Sequence, residues 1–192
     1  MINYPNGKKM SKKTPKKVVL TETSLANRGM KFEALINQSN AYYREIDRAV
    51  ITKRPTPIRV VKVDYTKGAK IKEAFFEKQS TADYNGVYRG KYLDFEVKST
   101  LSKTAFPLAN ITKHQIEHLE KVISHGGIAF FLINFVSHQE IYLLDAKFVI
   151  EVFKYGKRRS IPYAKIKEYG HLIEERLNPS LDYLSVVERL YF

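Results

Sequence analysis

The stretch Gly127-Ile128-Ala129-Phe130-Phe131-Leu132-Ile133-Asn134 decides the fold, because its six central residues are apolar without a break. A strand wetted on one face shows a polar residue at every second position. This one does not, so it predicts a central strand covered on both sides. Continued to Phe135, the run is still far short of the roughly 20 residues a membrane helix needs. Helices must therefore lie on both faces of a sheet.

The flanking segments supply them. Upstream, Ile111–Ser124 has helical spacing through Ile116, Leu119 and Ile123. Downstream, Gln139–Leu144 predicts the next strand and Asp145 caps a helix running through Phe153. Before them, Tyr92–Lys98 alternates strictly, with Leu93, Phe95 and Val97 on one side and Asp94, Glu96 and Lys98 on the other. Taken alone, that pattern predicts a half-buried strand with a solvated polar face. A turn at Asn85-Gly86 or at Arg89-Gly90 leads into it. Ile58–Tyr65 and Ile71–Lys78 predict a hairpin closed by Thr66-Lys67-Gly68-Ala69-Lys70. Near the start, a helix is expected from an N-cap at Ser24, with Phe32, Leu35, Ile36, Tyr43 and Ile46 as its buried stripe. A short strand, Ala49–Lys53, follows it. Helix, strands, helix, strands, helix is the order of an α/β domain with a mixed sheet.

Composition narrows the function. The 192 residues carry 33 Lys and Arg against 20 acids, a net charge of +13, and no cysteine. Thiolate zinc sites, iron–sulfur clusters and cysteine nucleophiles are excluded. No signal-peptide-like stretch is present, so a soluble, cytoplasmic, nucleoid-associated protein without membrane contact is expected. Residues 1–22 form a basic arm expected to be flexible, with Lys8, Lys9, Lys12, Lys13, Lys16 and Lys17 and no acid before Glu22. Residues 23–192 then make one domain, with the hairpin at about 56–74 inserted in it. Charge of this sign favours polyanions. The hairpin and its approach concentrate it in Lys53, Arg54, Arg59, Lys62, Lys67, Lys70 and Lys72, with Phe75-Phe76 at its end. Solubility alone would use such charge. A nucleic-acid stalk would use it to neutralise phosphate, with an aromatic to stack on a base.

The chemistry is expected at Asp83, thirteen residues before Glu96. A hairpin return would set the two carboxylates side by side, where they repel unless a cation bridges them. Mg²⁺ suits that role, because it takes one or two carboxylates and keeps its waters. Lys98 shares the face of Glu96 and would stabilise charge developing at a phosphorus centre or hold the attacking water. Asp94 stands behind the pair or is solvated. His114 and His118, at i and i+4, either clamp a metal or contact phosphate at the surface. Arg28 and Glu33 flank the site or serve the ordinary surface.

Asp83…Glu96-Val97-Lys98 resembles the PD-(D/E)xK nuclease signature, with Ala82 in place of its proline. The chain as a whole resembles the RecU family of Holliday junction resolvases. The matching motifs are Tyr4-Pro5-Asn6-Gly7, Asn27-Arg28-Gly29-Met30, Lys53-Arg54-Pro55-Thr56-Pro57, Ser80-Thr81-Ala82-Asp83-Tyr84-Asn85-Gly86, Phe106-Pro107-Leu108, His114-Gln115-Ile116-Glu117-His118 and Asp182-Tyr183-Leu184. The resemblance implies a restriction-endonuclease-like mixed sheet flanked by helices with a projecting hairpin stalk, acting as a homodimer. It implies magnesium at Thr81, Asp83, Glu96 and Gln115, with Mn²⁺ able to substitute, and a transition-state role for Lys98. The substrate implied is four-way junction DNA, for which the basic and aromatic residues Arg28, Lys53, Arg54, Lys62, Lys67, Lys70, Lys72 and Phe76 are the candidate contacts. Glu33 is an accessory candidate, and the strand-exchange recombinase and branch-migration machinery are candidate partners. A duplex-cutting nuclease and a non-catalytic DNA-bridging protein on the same fold remain the alternatives.

Overall fold

In the computed structural model, described residues run over 22–77 and 81–192, with side chains in the first helix from Gly29 onward. The arm through residue 21, the side chain of Arg28, Lys78 and Ser80 lie outside them. The apolar run becomes β7 (Ile128–Phe135), and every residue of it but Asn134 is buried. It pairs in parallel with β5 (Lys91–Thr100) and antiparallel with β8 (Glu140–Asp145). β4 (Tyr84–Tyr88) and β1 (Val50–Lys53) extend one side, and β10 (His171–Ile173) closes the other. The six-stranded sheet runs β1–β4–β5–β7–β8–β10, mixed as expected.

Helices cover both faces. On one, α1 (Glu22–Glu45) and α5 (Tyr183–Tyr191) enclose Tyr84, Leu93, Phe95, Phe130, Leu132 and Leu143. Phe95 stacks between Tyr84 and Phe130 at centroid distances of 5.1 and 4.6 Å. On the other, α2 (Lys113–Ser124), α3 (Ala146–Tyr155) and α4 (Tyr163–Tyr169) pack on Ala129, Phe131, Ile133 and Leu144. β6 (Ala105–Pro107) and β9 (Ser160–Pro162) form a small ladder at the rim of this layer. Asp145 caps α3 as expected, accepting from Lys147 N at 2.7 Å.

Among the described residues, the hairpin, β2 (Ile58–Asp64) with β3 (Lys70–Phe76), pairs only with itself and stands off the sheet. Its strands contribute nothing to either core. Phe76 is 82% exposed, and Ile58, Val60, Val61, Ile71 and Phe75 also face solvent. Among the described residues, no helix is long and apolar enough to cross a membrane.

Three expectations need correction. Ser24 does not cap α1, because the helix already includes Glu22. Ile46 lies beyond the end of α1 and is exposed rather than part of the buried stripe. The polar face of Tyr92–Lys98 is not solvated. Parallel pairing sets Asp94, Glu96 and Lys98 beside Ala129, Phe131 and Ile133, on the face that α2 covers.

The choice between the two turn sites is also resolved. Arg89-Gly90 makes the turn, with φ of 48° and 75°, the left-handed pair a two-residue hairpin needs. Gly86 lies inside β4 opposite Ile51. A Cβ there would sit 2.2 Å from the Val50 carbonyl oxygen and 2.7 Å from Ile51 Cα, both backbone atoms. Gly86→Ala should therefore lower the free energy of urea unfolding by about 2–3 kcal/mol, the size of an overpacking strain that cannot relax through rotamers. Unchanged stability would show that β1 can move away freely.

Candidate active site

β4 and β5 pair with Tyr84 opposite Phe95, so Asp83, one residue ahead of β4, meets the strand at Glu96. The Asp83 carboxylate accepts the Val97 N–H at 3.0 Å, which fixes it at the strand edge. Glu96 is fully buried. Its Oε1 accepts from Gln115 Nε2 at 2.7 Å, and Lys98 Nζ stands 2.7 Å from its Oε2 and 3.8 Å from Asp83 Oδ2. The expected convergence of Asp83, Glu96 and Lys98 is therefore present in the fold.

The electrostatics are those of a crowded, partly dehydrated pair. Burial, reinforced by the Asp83 charge, pushes the Glu96 carboxyl up to about 8, and Lys98 only partly opposes this. Burial acts to lower Lys98, but Glu96, Asp83 and Glu33 outweigh it and hold the ammonium above its usual range. The proton and the lysine charge thus share the work of neutralising two carboxylates. Beyond the Lys98 ammonium at 2.7 Å, no donor among the described residues meets the buried Glu96 Oε2. An under-coordinated buried carboxylate oxygen beside a half-buried second carboxylate suits a hard divalent cation that keeps several waters. Asp83 and Glu96 would hold it. Among the described residues, no three His, Asp or Glu side chains cluster as ligands, which leaves the rest of such a shell to neutral oxygens.

Gln115 reaches the site with its amide nitrogen, not its oxygen. Its Oε1 accepts the Thr112 N–H at 2.9 Å while Thr112 Oγ1 accepts from Gln115 N, a complete capping box for α2. Ligation through Oε1 requires that box to open. The Thr112-x-x-Gln115 spacing is itself a helix-start signature and would have placed the first turn of α2. Thr81 lies half-buried two residues before Asp83. Glu33 forms an ion pair with Lys53 and lines a cleft with Val97 and Ser99, the neighbours of Lys98.

The basic candidates divide. Lys62, Lys67, Lys70 and Phe76 are exposed on the hairpin, whereas Lys72 pairs with Asp64 at 2.8 Å. Arg54 turns inward. Its Nη2 donates to Asp94 Oδ2 at 2.9 Å and to the Tyr92 hydroxyl at 2.6 Å, and its Nη1 donates to the Ala82 carbonyl at 3.2 Å. His118 joins them, with Nε2 2.7 Å from Asp94 Oδ2. His114 is exposed beside Glu117. Sequence reading missed this second buried carboxylate cluster. One signal was available: Asp94 and Glu96 are two apart on a strand, His118 and Gln115 three apart on a helix. Those spacings, about 6.6 and 4.5 Å, are close enough for two paired contacts across one layer.

A family model described as RecU: Recombination protein U matches residues 27–189. A protein named Holliday junction resolvase RecU from Geobacillus sp. (strain WCH70) is 48% identical over 198 residues, covering 100% of this chain and 98% of the relative. The protein of that name from Geobacillus thermodenitrificans is 53% identical over 172 residues, covering 87% and 86%. The one from Bacillus cytotoxicus is 46% identical over 197 residues, covering 100% and 98%.

The raised Glu96 pKa sets a pH signature. The unfolded chain loses this proton near 4.5, whereas the folded metal-free protein holds it to about 8. Its contribution to stability is therefore full below 4.5 and is lost progressively as pH rises through about 8. Glu96→Gln keeps the neutral shape and should remove that loss. In chelator, its unfolding free energy relative to the unsubstituted protein should grow from pH 5 to pH 8 and then level off. A constant difference across that range would show that the proton resides elsewhere.

Proposed function

Because the chain belongs to the RecU family, we propose that it is a metal-dependent endonuclease that resolves four-way DNA junctions by paired, symmetric nicks. The observation that carries this reading is the meeting of Asp83, Glu96 and Lys98 at one buried strand edge. A bridging protein that only binds DNA has no use for a second carboxylate and an ammonium converging on buried Glu96, whose charged form burial disfavours. Magnesium, when bound, would supply Lewis acidity and a water of lowered pKa. The chain's own residues do the rest. Asp83 and Glu96 hold the cation, and Lys98 presents a fixed positive charge where charge develops on the scissile phosphate. The exposed bases and aromatics of the β2–β3 hairpin would enter the open centre of a junction, which a linear duplex lacks. Two nicks related by the junction's two-fold symmetry call for two sites so related, which a C₂ homodimer supplies.

Cleavage of a synthetic four-way junction, beside a matched linear duplex, tests the reading with Mg²⁺ and with chelator. Asp83→Ala should abolish cutting yet preserve junction binding, since affinity comes from phosphate contacts elsewhere. Lys98→Ala should lower kcat by roughly 10²-fold or more, the scale of one preorganised electrostatic contact. Normal cutting by Asp83→Ala in Mg²⁺ would remove the site assignment.

Replacing Lys62–Lys72 by an Asn-Gly turn should leave both cores intact, because neither hairpin strand belongs to them. Junction binding should then fall strongly while weak, salt-sensitive duplex binding persists. Equal losses on both DNAs would make the hairpin generic basic surface. Sedimentation of a fully active monomer at micromolar concentration would exclude the dimer.

A further inference from the structure

Arg54 sits in the linker between β1 and the hairpin, three residues before Pro57, and its side chain is largely buried. Its contacts do not end on one partner. The backbone N–H donates to the Asp83 carbonyl at 2.8 Å, and Nη1 donates to the Ala82 carbonyl at 3.2 Å. The other arm of the fork, Nη2, bonds Asp94 Oδ2 at 2.9 Å and the Tyr92 hydroxyl at 2.6 Å. One residue therefore clasps the segment carrying Asp83 and the strand carrying Glu96 together, touching the backbone of Asp83 itself and of its neighbour Ala82, and the side chain two positions from Glu96. Asp94 is fully buried, and His118 Nε2 approaches its Oδ2 at 2.7 Å from α2, one turn after Gln115 meets Glu96. The planar fork with several donors is what this geometry uses, and a lysine ammonium cannot span the carbonyl and the carboxylate together.

We propose that Arg54 is a positioning residue for the metal site: by tying the Ala82-Asp83 backbone to Asp94 it sets the separation of Asp83 from Glu96, and with it the affinity for a divalent cation. The inference rests on the metal-dependent nuclease reading, and it replaces the expectation that Arg54 contacts DNA. Groups that orient metal ligands without touching the metal are typically worth 10–100-fold in affinity. The root of the hairpin and the reaction centre then share one side chain, so the approach of the hairpin to the domain is registered at the carboxylates.

The test measures Mn²⁺ uptake by electron paramagnetic resonance, and junction binding in chelator, on full-length protein. Arg54→Met alone strands a buried carboxylate and is expected to lower stability. The decisive variants are Arg54→Met/Asp94→Asn, which removes both charges, and Arg54→Lys, which keeps the charge and loses the fork. Both should unfold within a few degrees of the unsubstituted protein and bind junction in chelator within about twofold, yet take up Mn²⁺ at least 10-fold more weakly. Unchanged Mn²⁺ affinity in either folded variant would overturn the proposal and leave the pair as a fold-stabilising contact. Junction affinity in chelator that drops, with a salt slope shallower by about one, would return Arg54 to the phosphate contacts and overturn it equally. Absence of Mn²⁺ uptake by the unsubstituted protein would fall on the nuclease reading itself, and on this inference with it.

Discussion

Two carboxylates, Asp94 and Glu96, lie fully buried on one face of β5, in the central β5–β7 pairing of the sheet, and much of the surrounding structure answers to them. An isolated buried carboxylate is costly by several kcal/mol even after relaxation, so each must be met by countercharge or hydrogen bonds. Asp94 is met by Arg54, His118 and Tyr92, and Glu96 by Lys98 and Gln115. These partners come from the linker after β1, from β5 itself and from α2. The position of α2 over the sheet is thus fixed twice over, by Ile116 and Leu119 in the core and by Gln115 and His118 on the acids.

The opposite face of β5 enforces the same registry by other means. Phe95 stacks between Tyr84 and Phe130 and touches Tyr183, whose hydroxyl donates to Asn40 of α1. A slip of β5 by one residue would put Phe95 under α2 and Glu96 into this aromatic cluster. The apolar face is therefore what holds the carboxylates facing α2, and the stacking of rings on one side of the sheet determines which acids meet on the other. The parallel pairing with β7 contributes the rest, setting Glu96 beside Phe131, both buried.

How much of this the sequence disclosed follows from what each signal encodes. The unbroken run at Ile128–Ile133 specified a strand covered on both faces, and alternation in Tyr92–Lys98 specified which residues share a side. Alternation does not say whether the polar side is wet. Here it is covered, because the strand's parallel neighbour is apolar on that side too, and that neighbour is a long-range fact. The carboxylate pair was readable because a hairpin joins Asp83 to Glu96 locally. The Arg54–Asp94–His118 cluster was not, since its members come from three separate elements 40 and 24 residues apart. Basic residues look alike in composition, and only packing divides Arg54, turned inward, from Lys62 and Lys67, which face solvent.

That division shows where the chain is free and where it is bound. The β2–β3 hairpin can carry exposed Phe76, Phe75 and Val61 beside its lysines because neither core depends on it, so its composition answers to whatever it meets. The residues at its root have no such latitude. Lys53 pairs across to Tyr84 in register, Arg54 grips the Asp83 segment, and Pro55 and Pro57 fix the backbone between. A hairpin that is energetically separate along its length, yet joined at its base to the residues flanking the two carboxylates, is coupled to the sheet through its root alone and without a shared core.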